Sequence, residues 1–142
     1  MYKDILLAVD INDPEDQMKA VNTAAEYAKA FGSTLHVITV VPDYGMAIVG
    51  SYFPPEHEEQ ALQHAKENLD AFCEKNLPAG LEVQHIVGHG RIYHEILHYA
   101  EKVKADLIVM ASHKPGLEDY LVGPNAEKVM RHANCSVLVV RP

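Results

Sequence analysis

Five short runs of Val, Ile and Leu, set wide apart, constrain this chain more than any other feature. They are Ile5–Val9, Leu35–Val41, Leu81–Val87, Leu107–Ala111 and Val137–Val140. Near-continuous rather than alternating runs mark strands covered on both faces in a parallel sheet. Helix-period segments fill the gaps. The first opens with Asp13 as N-cap, Pro14 at the first helical position and acids at 15 and 16, and closes at Phe31-Gly32. Ala24, Ala25, Ala28 and Phe31 are spaced to form its core face. A second helix is expected over about Pro55 to Asn76, with Ala61, Leu62, Ala65, Leu69 and Phe72 on one side. A third covers about Ile92 to Val103, and a short fourth starts near Pro124. Strands that alternate with helices give an α/β domain with right-handed crossovers. At 142 residues, with no repeat, low-complexity tract or linker, one domain over 1–142 is expected.

Composition narrows the functions. Apolar residues make up 48%, enough for a core. The net charge of −8 repels phosphate backbones, so no nucleic-acid partner is expected. A single bound phosphate stays compatible, because a helix N-terminus acts locally. Cys73 and Cys135 lie in apolar-patterned segments and read as reduced core residues of a cytoplasmic protein. The N-terminal MYKDILLAVD carries acid within its short apolar stretch, unlike a signal peptide, and no apolar run approaches a membrane span.

Two loops exceed what their connections need. Residues 42–54, PDYGMAIVGSYFP, and 112–123, SHKPGLEDYLVG, both start at C-terminal ends of strands. That is where the ligand crevice of an open α/β sheet lies. A partner contact or a cover for helix ends is the alternative for the first loop.

His94-Glu95-Ile96-Leu97-His98 matches the zinc-protease string H-E-x-x-H. The helical wheel argues against it. Ile92, Ile96, Ala100 and Val103 form the buried side, which leaves His94, His98 and Glu101 facing water with no third ligand. Gly88-His89-Gly90 lacks the third glycine of a dinucleotide fingerprint and reads as a tight strand-to-helix turn. Neither a G-x-x-x-x-G-K-[ST] loop nor a G-x-S-x-G elbow is present. The informative stretch is 105–141. A buried strand ends at Ala111-Ser112-His113, and Gly123-Pro124-Asn125 opens a helix. Free amides at Asn125 and Ala126 would point at an anion, Gly123 allows close approach, and Lys114 could add charge. An ordinary capped helix remains the alternative.

Over its whole length the chain resembles the universal stress protein family. The resemblance rests on Val9-Asp10, Val40-Val41-Pro42, the Gly90 turn, Ala111-Ser112-His113 and a closing block. That block is Gly123-x-Asn125-Ala126, Val129-x-Arg131-His132-Ala133 and Ser136-Val137-Leu138-Val139-Val140. It implies a Rossmann-like open sheet of five parallel strands, order 3-2-1-4-5, with four helices on two faces. Many members bind ATP through G-x-x-G-x9-G-[ST] after strand four. Here Ala111 and Lys114 stand at the two first glycines, the interval to Gly123 is one residue shorter, and Pro124 replaces Ser or Thr. The shortened loop looks like a subgroup in which nucleotide binding also occurs. Pro124 nevertheless removes a hydroxyl and an N–H from the phosphate donors, and Lys114 could compensate with charge.

The resemblance implies roles by position. Asp10 would meet the ribose, the adenine edge or a magnesium ion through water, or else cap its own loop. Val41 would offer backbone groups to adenine. Ala111 and His113 would line the ribose and phosphates, though His113 could equally bond the loop backbone. Gly123, Pro124, Asn125 and Ala126 would seat phosphate oxygens. The apolar strand from Cys135 to Arg141 has nothing after it in the sequence to cover its edge, so pairing with a second copy is expected. Three functions stand open. They are a dimeric ATP-binding regulatory module without dedicated catalysis, a nucleotide-free dimeric interaction protein with an unknown protein partner, and a slow nucleotide hydrolase.

Overall fold

A computed structural model describes residues 1–42, 55–112 and 123–142. The elements are β1 (Asp4–Ala8), α1 (Pro14–Phe31), β2 (Thr34–Val41), α2 (Pro55–Asn76), β3 (Glu82–His89), α3 (Ile92–Lys102), β4 (Leu107–Ala111), α4 (Pro124–His132) and β5 (Ser136–Val140). The five strands form one parallel sheet in the order β3-β2-β1-β4-β5. β1 is central, with Ile5 opposite both Leu35 of β2 and Leu107 of β4.

Successive strand residues point to opposite faces, so each interior strand feeds two cores. Ile5, Leu7, Leu35, Val37, Leu107 and Val109 pack with Ala20, Val21, Ala24 and Ala28 of α1 and with Leu69, Phe72 and Cys73 of α2. Leu6, Ile38, Ile108 and Met110 pack with Ile96 and Ala100 of α3 and with Ala126 and Val129 of α4. Three layers result, with two helices on each face of the sheet.

Helix punctuation follows the sequence. Pro14 opens α1 with Glu15 and Asp16 in its first turn, and Gly32 closes it at φ 65°. Asp13 holds the N-cap position, but its side chain makes no capping bond to the helix amides.

Three expectations need correction. Phe31 is 39% exposed rather than core. As the last residue of α1 it lies beyond the sheet's cover and meets Tyr2 and Tyr27 edge-on, with ring centroids 5.7 and 5.9 Å apart. Ile92 is also exposed, because it starts α3 at the rim of an open crevice. Finally, β3 and β5 are not covered on both faces; they are the sheet's two edges and stay largely half-buried. Among the described residues no helix is long and apolar enough to cross a membrane.

Candidate functional site

In the order β3-β2-β1-β4-β5, the chain leaves β1 toward one side and β3 toward the other, so the switch point lies where β1 and β4 separate. A crevice of about 310 Å³ opens there, at the carboxyl ends of the strands. Val9 and Asp10 come from the end of β1, Thr39, Val40 and Pro42 from that of β2, and Met110, Ala111 and Ser112 from that of β4. Ile92 and Ile96 of α3 and the start of α4 complete it.

The α4 end is built for close approach. Gly123 sits at φ 97°, ψ 154°, a conformation that other residues rarely adopt. It carries no side chain to cap the helix, and no side-chain cap bond is made. Pro124 at the first helical position has no N–H to leave stranded. The Glu127 N–H donates to the Gly123 carbonyl at 3.0 Å, which starts the helical ladder. The amides of Asn125 and Ala126 precede that ladder and lack intrahelical acceptors. They stand at the positive end of the helix dipole, beside the crevice.

Asp10 is exposed at the opposite wall. Its Oδ1 accepts the Asn12 N–H at 3.0 Å, its carbonyl accepts the Asp13 N–H at 3.1 Å, and its own N–H donates to Gln17 Oε1 at 3.2 Å. The side chain therefore does cap its own loop while lining the crevice. Ser112, which sequence reasoning passed over, is 7% exposed. Its Oγ is buried without a hydrogen-bond partner among the described residues. A serine at a strand end carries no signal in sequence; only packing reveals it.

Asp10, Ala111, Gly123, Pro124, Asn125 and Ala126 are thus brought together. Val41 is not among the lining residues: β2 presents Val40 and Pro42 there, and the Val41 carbonyl accepts the Gly90 N–H at 3.0 Å. His113 and Lys114 lie outside the described residues, as does most of each long loop.

The zinc-protease string resolves differently. The His94 side chain is 70% exposed and that of Glu95 is 16% exposed. Glu95 Oε1 accepts the His89 N–H at 3.1 Å. Among the described residues no group of His, Cys, Asp and Glu could hold a metal. Gly90 takes φ 134°, as a tight turn requires. Cys73 is buried and Cys135 half-buried, both as free thiols. Burial pushes the Cys73 thiol up to about 11 and raises that of Cys135 as well.

Residues 1–141 match the universal stress protein family. Universal stress protein G of Escherichia coli O157:H7 is 33% identical over 143 residues, covering 99% of this chain and 100% of that protein. The solved structure of the hypothetical protein MJ0577 superposes with a TM-score of 0.75 at 27% identity, over 100% of this chain and 97% of that one. Two further structures share the fold at TM-scores of 0.62. One is a universal stress protein in complex with cAMP, 22% identical over 99% of this chain and 97% of that one. The other is the Archaeoglobus fulgidus universal stress protein in complex with dAMP, 21% identical over 97% of each chain.

Proposed function

This chain belongs to the universal stress protein family, and from that premise we propose that it binds ATP in the switch-point crevice and works as a dimeric cytoplasmic regulatory module without dedicated catalysis. One observation carries the reading: an open crevice of about 310 Å³ walled by the uncapped start of α4. Solved relatives in complex with cAMP and dAMP support an adenine nucleotide as the ligand class.

The donor set fits such a ligand. The amides of Asn125 and Ala126 would take phosphate oxygens, and Gly123 leaves room for them. Asp10 would meet the ribose or, through water, a magnesium ion held by the phosphates. The apolar wall of Val40, Pro42 and Ile92 suits the adenine ring. Among the described residues the lining holds no Lys, Arg, His or Cys, so the charge of Lys114 is the one this reading assigns to the phosphates. Among the described lining residues the one carboxylate, that of Asp10, is engaged by the Asn12 N–H, which favours a binding role over a general base. Dimerisation is assigned to β5, an edge strand whose Val137, Leu138 and Val139 stay half-buried.

Pro124 favours a second reading, a family member that no longer binds nucleotide, because it removes an N–H and a hydroxyl from the seat. Mass spectrometry of whatever copurifies with the protein separates the two. Near-stoichiometric adenine nucleotide is expected; none, together with no binding of added ATP, supports the second. Incubation with ATP should release ADP no faster than background, and turnover well above it would make the protein a hydrolase.

A further inference from the structure

We infer that the Ser112 hydroxyl donates to a phosphate oxygen of the bound nucleotide, supplying the hydroxyl that Pro124 withholds at the start of α4. The inference rests on the nucleotide reading above and adds a residue to it.

Ser112 directly follows β4. Its N–H is committed to the Val140 carbonyl at 2.9 Å, so its backbone is fixed to β5. Its side chain is another matter. The Oγ is buried and has no hydrogen-bond partner among the described residues, in a residue 7% exposed. A buried hydroxyl with nothing to bond is uncommon, since it has given up its bonds to water without replacement. The same residue borders the crevice shared by Gly123, Asn125 and Ala126.

The kind of donor present leads to the same place. A terminal phosphate group presents three acceptor oxygens. Pro124 offers no N–H, and the Glu127 N–H is taken by the Gly123 carbonyl. The start of α4 therefore contributes amides alone, those of Gly123, Asn125 and Ala126, and no hydroxyl. Among the described lining residues only Thr39 and Ser112 carry hydroxyls. Thr39 is on β2, two strands from β4 and so about 10 Å away across the sheet. Ser112 ends the strand that leads into α4. Because its Oγ is covered, engagement requires a turn about χ1 from one staggered well to another, with the backbone held in place.

The test compares the wild-type chain with Ser112→Ala, both stripped of nucleotide, by calorimetric titration of ATP, AMP and adenosine and by thermal unfolding without ligand. The variant is expected to bind ATP and AMP about tenfold to a hundredfold more weakly, as loss of a hydrogen bond to a charged group implies. It should bind adenosine as the wild type does. Without ligand it should unfold at the same or a higher temperature, because alanine removes the stranded hydroxyl. A merely structural serine would lower the unfolding temperature and spare the preference for phosphate. Unchanged ATP affinity, or an equal loss for adenosine, overturns the inference and leaves the nucleotide reading intact. A wild-type chain that binds none of the three overturns both.

Discussion

Glu95 does different work from the histidines on either side of it. Its carboxylate accepts the His89 N–H, and its Cβ lies so close to Gly88 that a methyl group there would meet it at 3.1 Å. His94 and His98 are exposed. Glu95→Ala should therefore cost about 1–2 kcal/mol in urea unfolding, while His94→Ala and His98→Ala stay within about 0.5 kcal/mol. Equal costs for all three would contradict this assignment. The thiols give a second check. Both are held protonated at neutral pH, Cys73 more firmly because it is buried, so Ellman's reagent should label Cys135 first and Cys73 only on unfolding. Rapid labelling of Cys73 in the native protein would count against its burial. At this scale the sequence was readable where backbone geometry is demanding, as at Gly123 and Pro124, which open α4. It was silent on Ser112, whose importance comes from what fails to bond it. The Val41 carbonyl, expected to serve a ligand, is bonded to the N–H of the Gly90 turn.

Packing of α2 against β3 carries the pH dependence that the structure makes explicit. Lys66 Nζ lies 2.6 Å from Asp70 Oδ1, and His85 Nδ1 lies 2.5 Å from the same oxygen. Both partners hold the Asp70 carboxyl below its ordinary value of 3.8, Lys66 first. A carboxylate depressed in the folded state stabilises fully above its ordinary pKa, and that stability is lost as pH falls through the folded value. The pair is half exposed, so the effect is small. Urea unfolding between about pH 5 and pH 2 should show a shallower acid slope for Asp70→Asn; an unchanged slope would contradict the linkage. All nine described elements were legible as apolar runs and helical periods, because those patterns record burial within each segment. Which strands become edges is not recorded there. The run of β5 looks as apolar as an interior strand, whereas β3 carries Glu82, Gln84 and His85 among its apolar residues; the strand order leaves both half-covered.

The order of the whole sheet turns scattered residues into a site. β1 and β4 lie 103 residues apart at Asp4 and Leu107, yet they pair, and their ends frame the crevice. The same order leaves β5 as a half-buried edge, so light scattering at micromolar concentration should give twice the mass of the chain; a monomer throughout would remove the dimer from the account. The central claim is that bare amides after Gly123 receive a nucleotide's phosphates. Equilibrium titration of ATP into the stripped wild-type protein and into Gly123→Val tests it most directly. The account predicts saturable binding near one ATP per chain in the wild type. In Gly123→Val, with its far-ultraviolet circular dichroism retained, it predicts loss of at least about tenfold in affinity, because valine is strained at φ 97° and relief of that strain moves the amides that follow. Saturable binding of equal strength in both proteins, or none in the wild type, would contradict it.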